Sequence, residues 1–156
     1  MTRRIRQLVV GKPRNSTIVA LHDDYATRIR RLGVQYETGW VPEVRPSGRY
    51  SVEHVREREG KSLLARLEDR GTVIALDRTG RLYDSETLAV QLERWGTRAV
   101  DFVIGGPLGL HGDVLERADH GWSLSPLTFP HEIVPLLVAE QIYRALGILR
   151  GLPYHK

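Results

Sequence analysis

Short apolar runs alternate with helical patterns along nearly the whole chain, and this alternation most restricts what it can fold into. Residues 5–10, 36–41, 73–76 and 99–104 read as strands, with residues 122–124 as a shorter last one. Residues 17–32 place Ile18, Leu21, Tyr25, Ile29 and Leu32 on one side of a helix. Ser51 caps a second helix, predicted to run to about residue 70 with Val52, Val55, Leu63, Leu64 and Leu67 as its apolar positions. Residues 85–95, 110–118 and 133–149 supply the others, and residues 42–50 and 77–80 read as a loop and a turn. Strands alternating with helices imply an α/β fold with a mostly parallel sheet flanked by helices. In such sheets ligands bind beyond the carboxyl ends of the strands, where Leu76, Gly105 and the residues from Leu124 onward lie. With 156 residues, one domain over residues 1–156 is expected.

The last helix is apolar at nearly every position except Glu140, Gln141 and Arg144. A helix apolar all round must be covered on most sides. A domain of this size covers one face, so a subunit interface is expected on another. Glu140 and Arg144 are four apart, the spacing of a helical ion pair. They are either a surface pair or a polar spot in a dimer seam beside the ligand loops.

Composition removes several chemistries. There are no cysteines, so disulfides, zinc-thiolate sites and cysteine nucleophiles are excluded. The N-terminus is too polar for a signal peptide and no run approaches a membrane span, so a cytoplasmic protein with no membrane partner is expected. The net charge of +4 draws on Arg3, Arg4, Arg6, Lys12 and Arg14, and on Arg28, Arg30 and Arg31. That is either a solvated basic face or the footprint of a nucleic acid.

Gly11-Lys12 follows a strand but lacks the spacing of a phosphate loop, and no dinucleotide fingerprint is present. Gly105-Gly-Pro-Leu-Gly109, taken alone, reads first as a structural turn. The run 123–131 is more telling. Ser123, Ser125 and Thr128 offer hydroxyls, while Leu124, Leu127 and Phe129 offer apolar walls, a mixture suited to an adenine and a thioether. No acidic cluster or histidine pair has metal-ligand spacing, so no metal is expected. Among the histidines, His131 lies beside this loop and His155 follows Pro153-Tyr154.

Together these residues resemble the ribosomal RNA large subunit methyltransferase H family, the 23S rRNA pseudouridine-N3-methyltransferases of the SPOUT superfamily. The resemblance rests on Val9-Val-Gly-Lys12, Tyr25-x-x-Arg28, Arg58-Glu-Gly-Lys61, Ile74-Ala-Leu-Asp77, Phe102-Val-Ile-Gly-Gly106, Ser123-Leu-Ser125, Leu127-Thr-Phe-Pro-His131, Glu140-x-x-Tyr-Arg-Ala145 and Pro153-Tyr-His-Lys156. It implies a SPOUT methyltransferase fold with a C-terminal trefoil knot, a homodimer, and S-adenosyl-L-methionine held by the knot loops. Carried over residue by residue, the cofactor pocket falls on Leu76, Gly105, Leu124, Ser125, Pro126, Leu127, Thr128 and Phe129. Tyr154, His155 and Lys156 would receive the RNA, with Arg144 near the shared site.

Methylation at C5 of a uridine needs a cysteine and is closed to this chain. Methylation at N3 needs loss of a proton and alignment with the methyl group. Arg144 or His155 would stabilise the developing anion, and His131 or His155 would accept the proton. The resemblance implies that the assembled ribosome presents the 23S rRNA. A SPOUT methyltransferase with another acceptor such as transfer RNA, and a non-catalytic ribosome-associated factor, are the alternatives.

Overall fold

The computed structural model describes residues 3–96 and 98–156. In it β1 (Arg4–Val10) leads to α1 (Ser16–Arg31), β2 (Gln35–Val41), α2 (Val52–Leu64), β3 (Thr72–Leu82) and α3 (Ser85–Trp95). Then follow β4 (Ala99–Ile104), α4 (Gly112–Arg117), β5 (His120–Ser123) and α5 (Val134–Leu149). The strands form one 5-stranded sheet in the order β2-β1-β4-β3-β5, paired in parallel throughout.

The two-residue period of a strand sorts its side chains between two cores. Ile5 and Val9 of β1, with Val100, Phe102 and Ile104 of β4, meet Ile29 of α1, Leu92 of α3 and Ile142 of α5. Leu8, Val10 and Val103 point the other way, towards Leu63 of α2 and Val114 of α4. Three helices therefore cover one face and two the other. α5 packs between α1 and α3. Its first turn is tied to the sheet by fully buried Gln7, whose Nε2 donates to the Pro135 carbonyl (2.9 Å) and to Tyr36 Oη (2.6 Å). Pro135 sits in that first turn, where its missing N–H costs little. Leu136, Leu137, Glu140 and Arg144 remain half-buried along one side of α5.

Several local expectations shift. α2 stops at Leu64 because the N–H groups of Arg66 and Leu67 bond carbonyls only three residues back, which tightens the last turn. The buried stripe of α1 is His22, Ala26 and Ile29, while Leu21 is 45% exposed. The His22 ring lies buried near the Trp40 indole, centroids 6.0 Å apart, so the stripe is turned by one residue from the apolar one. β5 occupies His120–Ser123 rather than residues 122–124. β3 continues beyond the expected turn, but its register breaks: Leu76 and Arg81 both pair with Trp122, so residues 77–80 bulge out of the ladder.

On the α2 and α4 side, Asp101 is 4% exposed and accepts from Arg6 Nε and Nη2, both at 2.9 Å. Arg4 stands 3.7 Å from the same carboxylate. Asp101→Ala would strip Arg6 of its bonded carboxylate in a mostly dry setting and leave Arg4 only the more exposed Glu37 (3.3 Å) and Glu68 (3.7 Å). The expected loss is about 3–5 kcal/mol, read from the urea unfolding midpoint. A loss below about 1 kcal/mol would show that solvent screens the cluster.

Candidate active site

The bulge of β3 at residues 77–80 and the loops that follow β4 and β5 enclose a cavity of about 680 Å³. Leu76, Gly105, Leu124, Ser125, Leu127, Thr128 and Phe129 line it, as does His131. Pro126 is exposed and stands outside the wall. Ile104, Leu110, Trp122 and Val134 extend the apolar wall, and Arg56, Asp77 and Arg78 add charge at its edge.

Each loop is shaped by its own residues. A Cβ on Gly80 would stand 2.7 Å from the Gly121 carbonyl carbon and 2.7 Å from the Trp122 nitrogen. The end of the β3 bulge thus rejoins β5 in backbone-to-backbone contact, just before Arg81 pairs with Trp122. A Cβ on Gly105 would stand 2.9 Å from the Gly109 carbonyl carbon. Gly109 adopts a φ of +83°, and its N–H closes the turn onto the Gly106 carbonyl at 3.0 Å. In the third loop Ser125 Oγ accepts from the Leu127 N–H at 3.0 Å, and the Ser125 carbonyl accepts from Ser123 Oγ at 3.1 Å. Arg78 Nη1 reaches Thr128 Oγ1 at 3.3 Å and ties the first loop to the third. Leu127 is 70% exposed at the cavity mouth.

Helix α2 braces the glycine turn from behind. Arg56 Nε donates to the Leu108 carbonyl at 2.6 Å. Glu59, 3% exposed, accepts from the Val44 N–H at 2.9 Å through Oε2. Burial pushes its carboxyl above the usual carboxylate range; Glu43 adds to this, while the Val44 N–H and His131 oppose it. His131 Nε2 lies 3.7 Å from Glu43 Oε2. A carboxyl raised by folding contributes stability below its unfolded range, and loses it as pH rises through the folded one. Wild-type stability should therefore fall relative to Glu59→Gln as pH rises above about 4.3, in urea titrations at stepped pH. Parallel curves would show that burial does not perturb Glu59.

The other expected residues gather elsewhere. Glu140 Oε1 accepts from Arg144 Nε (3.0 Å), Arg144 Nη2 (2.5 Å) and Tyr154 Oη (3.0 Å). Arg144 Nη1 meets His155 Nδ1 at 3.1 Å, and its guanidinium stacks 4.8 Å from the Tyr154 ring centroid. Tyr154 Oη also lies 3.0 Å from Tyr25 Oη. Hydrogen bonding to Glu140 keeps Arg144 firmly protonated, and burial, with Tyr25 and Glu140, pushes the Tyr154 hydroxyl upward. Because Arg144 only donates, His155 Nδ1 is the acceptor and the ring proton of a neutral His155 sits on Nε2. Lys156 is exposed beyond the cluster. None of Arg144, Tyr154 and His155 lines the cavity. Ten residues of α5, about 15 Å of helix rise, separate Arg144 from Val134 in the cavity wall.

Arg56 and Arg78 escaped sequence reasoning, since their partners lie far along the chain and no periodicity marks them; Glu59 entered only as part of Arg58-Glu-Gly-Lys61, with no role attached. Among the described residues, no group of His, Cys, Asp or Glu is arranged to hold a metal ion, and no helix is long and apolar enough to cross a membrane.

A family model described as "predicted SPOUT methyltransferase" matches residues 3–155. The chain is 41% identical to the ribosomal RNA large subunit methyltransferase H of Magnetococcus marinus, a match covering 98% of this chain and 99% of that protein. It is 37% identical to the protein of the same name from Pseudomonas aeruginosa, again over 98% and 99%. Among solved structures, a probable methylase family protein from Haemophilus influenzae superposes with a TM-score of 0.55 at 13% identity, covering 94% of this chain and 66% of that one. That likeness concerns the fold alone.

Proposed function

Since the chain belongs to the SPOUT methyltransferase family, we propose that it transfers a methyl group from S-adenosyl-L-methionine to N3 of a pseudouridine in 23S rRNA. It would act as a cytoplasmic homodimer on the assembled ribosome. The observation that carries this reading is the cavity itself. Three loops close a slot with apolar walls and neutral hydroxyls, in which Gly105 has no room for a Cβ beside the Gly109 backbone. The residues fit the cofactor: Leu76, Leu124, Leu127 and Phe129 would clasp an adenine and a thioether, with Ser125, Thr128 and the Gly105 backbone for its polar edges.

Two copies supply what one lacks. The uncovered side of α5 carries Leu136 and Leu137 beside Glu140 and Arg144. Pairing this side with itself across a two-fold axis, helices antiparallel, would bring Arg144 of one protomer towards the Val134 end of its partner. The cluster of Arg144, Tyr154 and His155 would then face the neighbouring cavity.

S-adenosylmethionine would supply an electrophilic methyl group on its sulfonium. The protein must hold N3 in line with it and ease loss of the N3 proton. Arg144, fixed by Glu140 and Tyr154, would stabilise the negative charge that develops on the base. His155 presents Nε2–H as a donor and is poorly set to take a proton. His131, in the cavity wall, is the better-placed acceptor.

The test is methyl transfer from labelled S-adenosylmethionine to assembled ribosomes, isolated large subunits and bulk transfer RNA from cells lacking this protein. Label in 23S rRNA of assembled ribosomes alone is expected. Label in transfer RNA would replace the substrate. No label and no cofactor binding would favour a non-catalytic factor.

A further inference from the structure

Directly behind the cavity lies a buried carboxylate oxygen with nothing to bond. Glu59 Oε2 holds the Val44 N–H, but Oε1 is buried and finds no hydrogen-bond partner among the described residues. The backbone of Gly106 stands between it and the cavity. A Cβ on Gly106, a lining residue, would sit 3.3 Å from Oε1 and 3.4 Å from Oε2. A buried, unpartnered acceptor is costly, and its field is little screened by solvent. Asp77, half-buried, lines the cavity as well, but its carboxylate already accepts from the Thr79 hydroxyl. Glu43 adds negative charge beside Glu59, while His131 offsets part of it.

Resting on the cofactor assigned above, we propose that Glu59 is the specificity-determining residue that makes this cavity prefer a sulfonium-bearing methyl donor to the neutral thioether left after transfer. Substrate and product share their adenine, ribose, ammonium and carboxylate. They differ by one methyl group and one positive charge. Apolar walls and hydroxyls scarcely sense a unit charge, whereas a carboxylate one backbone layer away, in a poorly screened setting, does. Such a preference would empty the site of spent cofactor and refill it with the reactive one.

The experiment is calorimetric binding of S-adenosylmethionine and S-adenosylhomocysteine to the full-length protein, its Glu59→Gln variant and its Glu43→Gln variant. Glutamine keeps the shape of the side chain and an oxygen for the Val44 N–H. Glu59→Gln should weaken S-adenosylmethionine about tenfold and leave S-adenosylhomocysteine within about twofold. Glu43→Gln should change the ratio less. Retained product affinity doubles as the folding control. Equal weakening of both ligands, or no weakening of either, would overturn the proposal while leaving the cofactor assignment intact. Failure of the unaltered protein to bind either ligand would remove the assignment and the proposal with it.

Discussion

Gly80→Ala should fail to reach the native state. Its methyl carbon would stand 2.7 Å from the Gly121 carbonyl carbon, 2.7 Å from the Trp122 nitrogen and 2.9 Å from the Asp77 carbonyl oxygen. All three are backbone atoms, so no side chain can swing aside. Nor can the backbone yield, because Gly121 and Trp122 are held in register against Ala75 and Leu76. The expected cost exceeds about 4 kcal/mol, against a total stability of about 5–15 kcal/mol for a domain of ordinary size. Soluble yield and the urea midpoint check it, with Gly48→Ala as the control, since a Cβ there meets nothing within 4 Å. An unchanged midpoint for Gly80→Ala would mean the two strands do not approach to that separation.

Arg144→Ala should lower turnover by about 100-fold or more while leaving S-adenosylmethionine affinity within about twofold. The guanidinium is placed by contacts on three sides: the Glu140 carboxylate, the His155 ring and the face of Tyr154. Its truncation leaves the cavity wall untouched, because Arg144 is not part of it. Glu140 keeps the Tyr154 hydroxyl and the Gln141 amide as donors, so the helix retains its setting. Lysine should not rescue, since one ammonium cannot hold Glu140 through two nitrogens and also stack on the ring. Single-turnover methyl transfer, with cofactor binding measured separately, decides the matter. A loss of cofactor affinity equal to the loss of rate would move Arg144 out of the reacting geometry and into binding.

The fold was open to sequence reasoning wherever local patterning carries it. Residues 99–104 form β4 and residues 85–95 form α3 as read, because apolar periodicity is a local property. It misled on α1, where His22 lies in the buried stripe and Leu21 outside it. A histidine covered by an indole carries no apolar mark. The loops of the cavity could be placed because carboxyl ends of parallel strands are where such loops meet. What lay beyond reach was their support. Arg56 bonds the carbonyl of Leu108, 52 residues later, and Glu59 touches the turn at Gly106. Those contacts depend on how α2 lies over the sheet. The resemblance carried the assignment of Arg144 and His155, whose meeting at 3.1 Å spans the turn that follows α5.

The sheet order also sets a timetable for synthesis. β1 lies between β2 and β4, so one edge of it stays bare until β4 is made. Arg6 waits for Asp101, 95 residues later. The free edge of β3 waits for β5, and the first turn of α5 must then reach Gln7. Non-local pairing of this kind folds slowly. A chain growing from its N-terminus would expose the run Leu8, Val9 and Val10 for most of its translation, and that stretch is where a chaperone would find its grip.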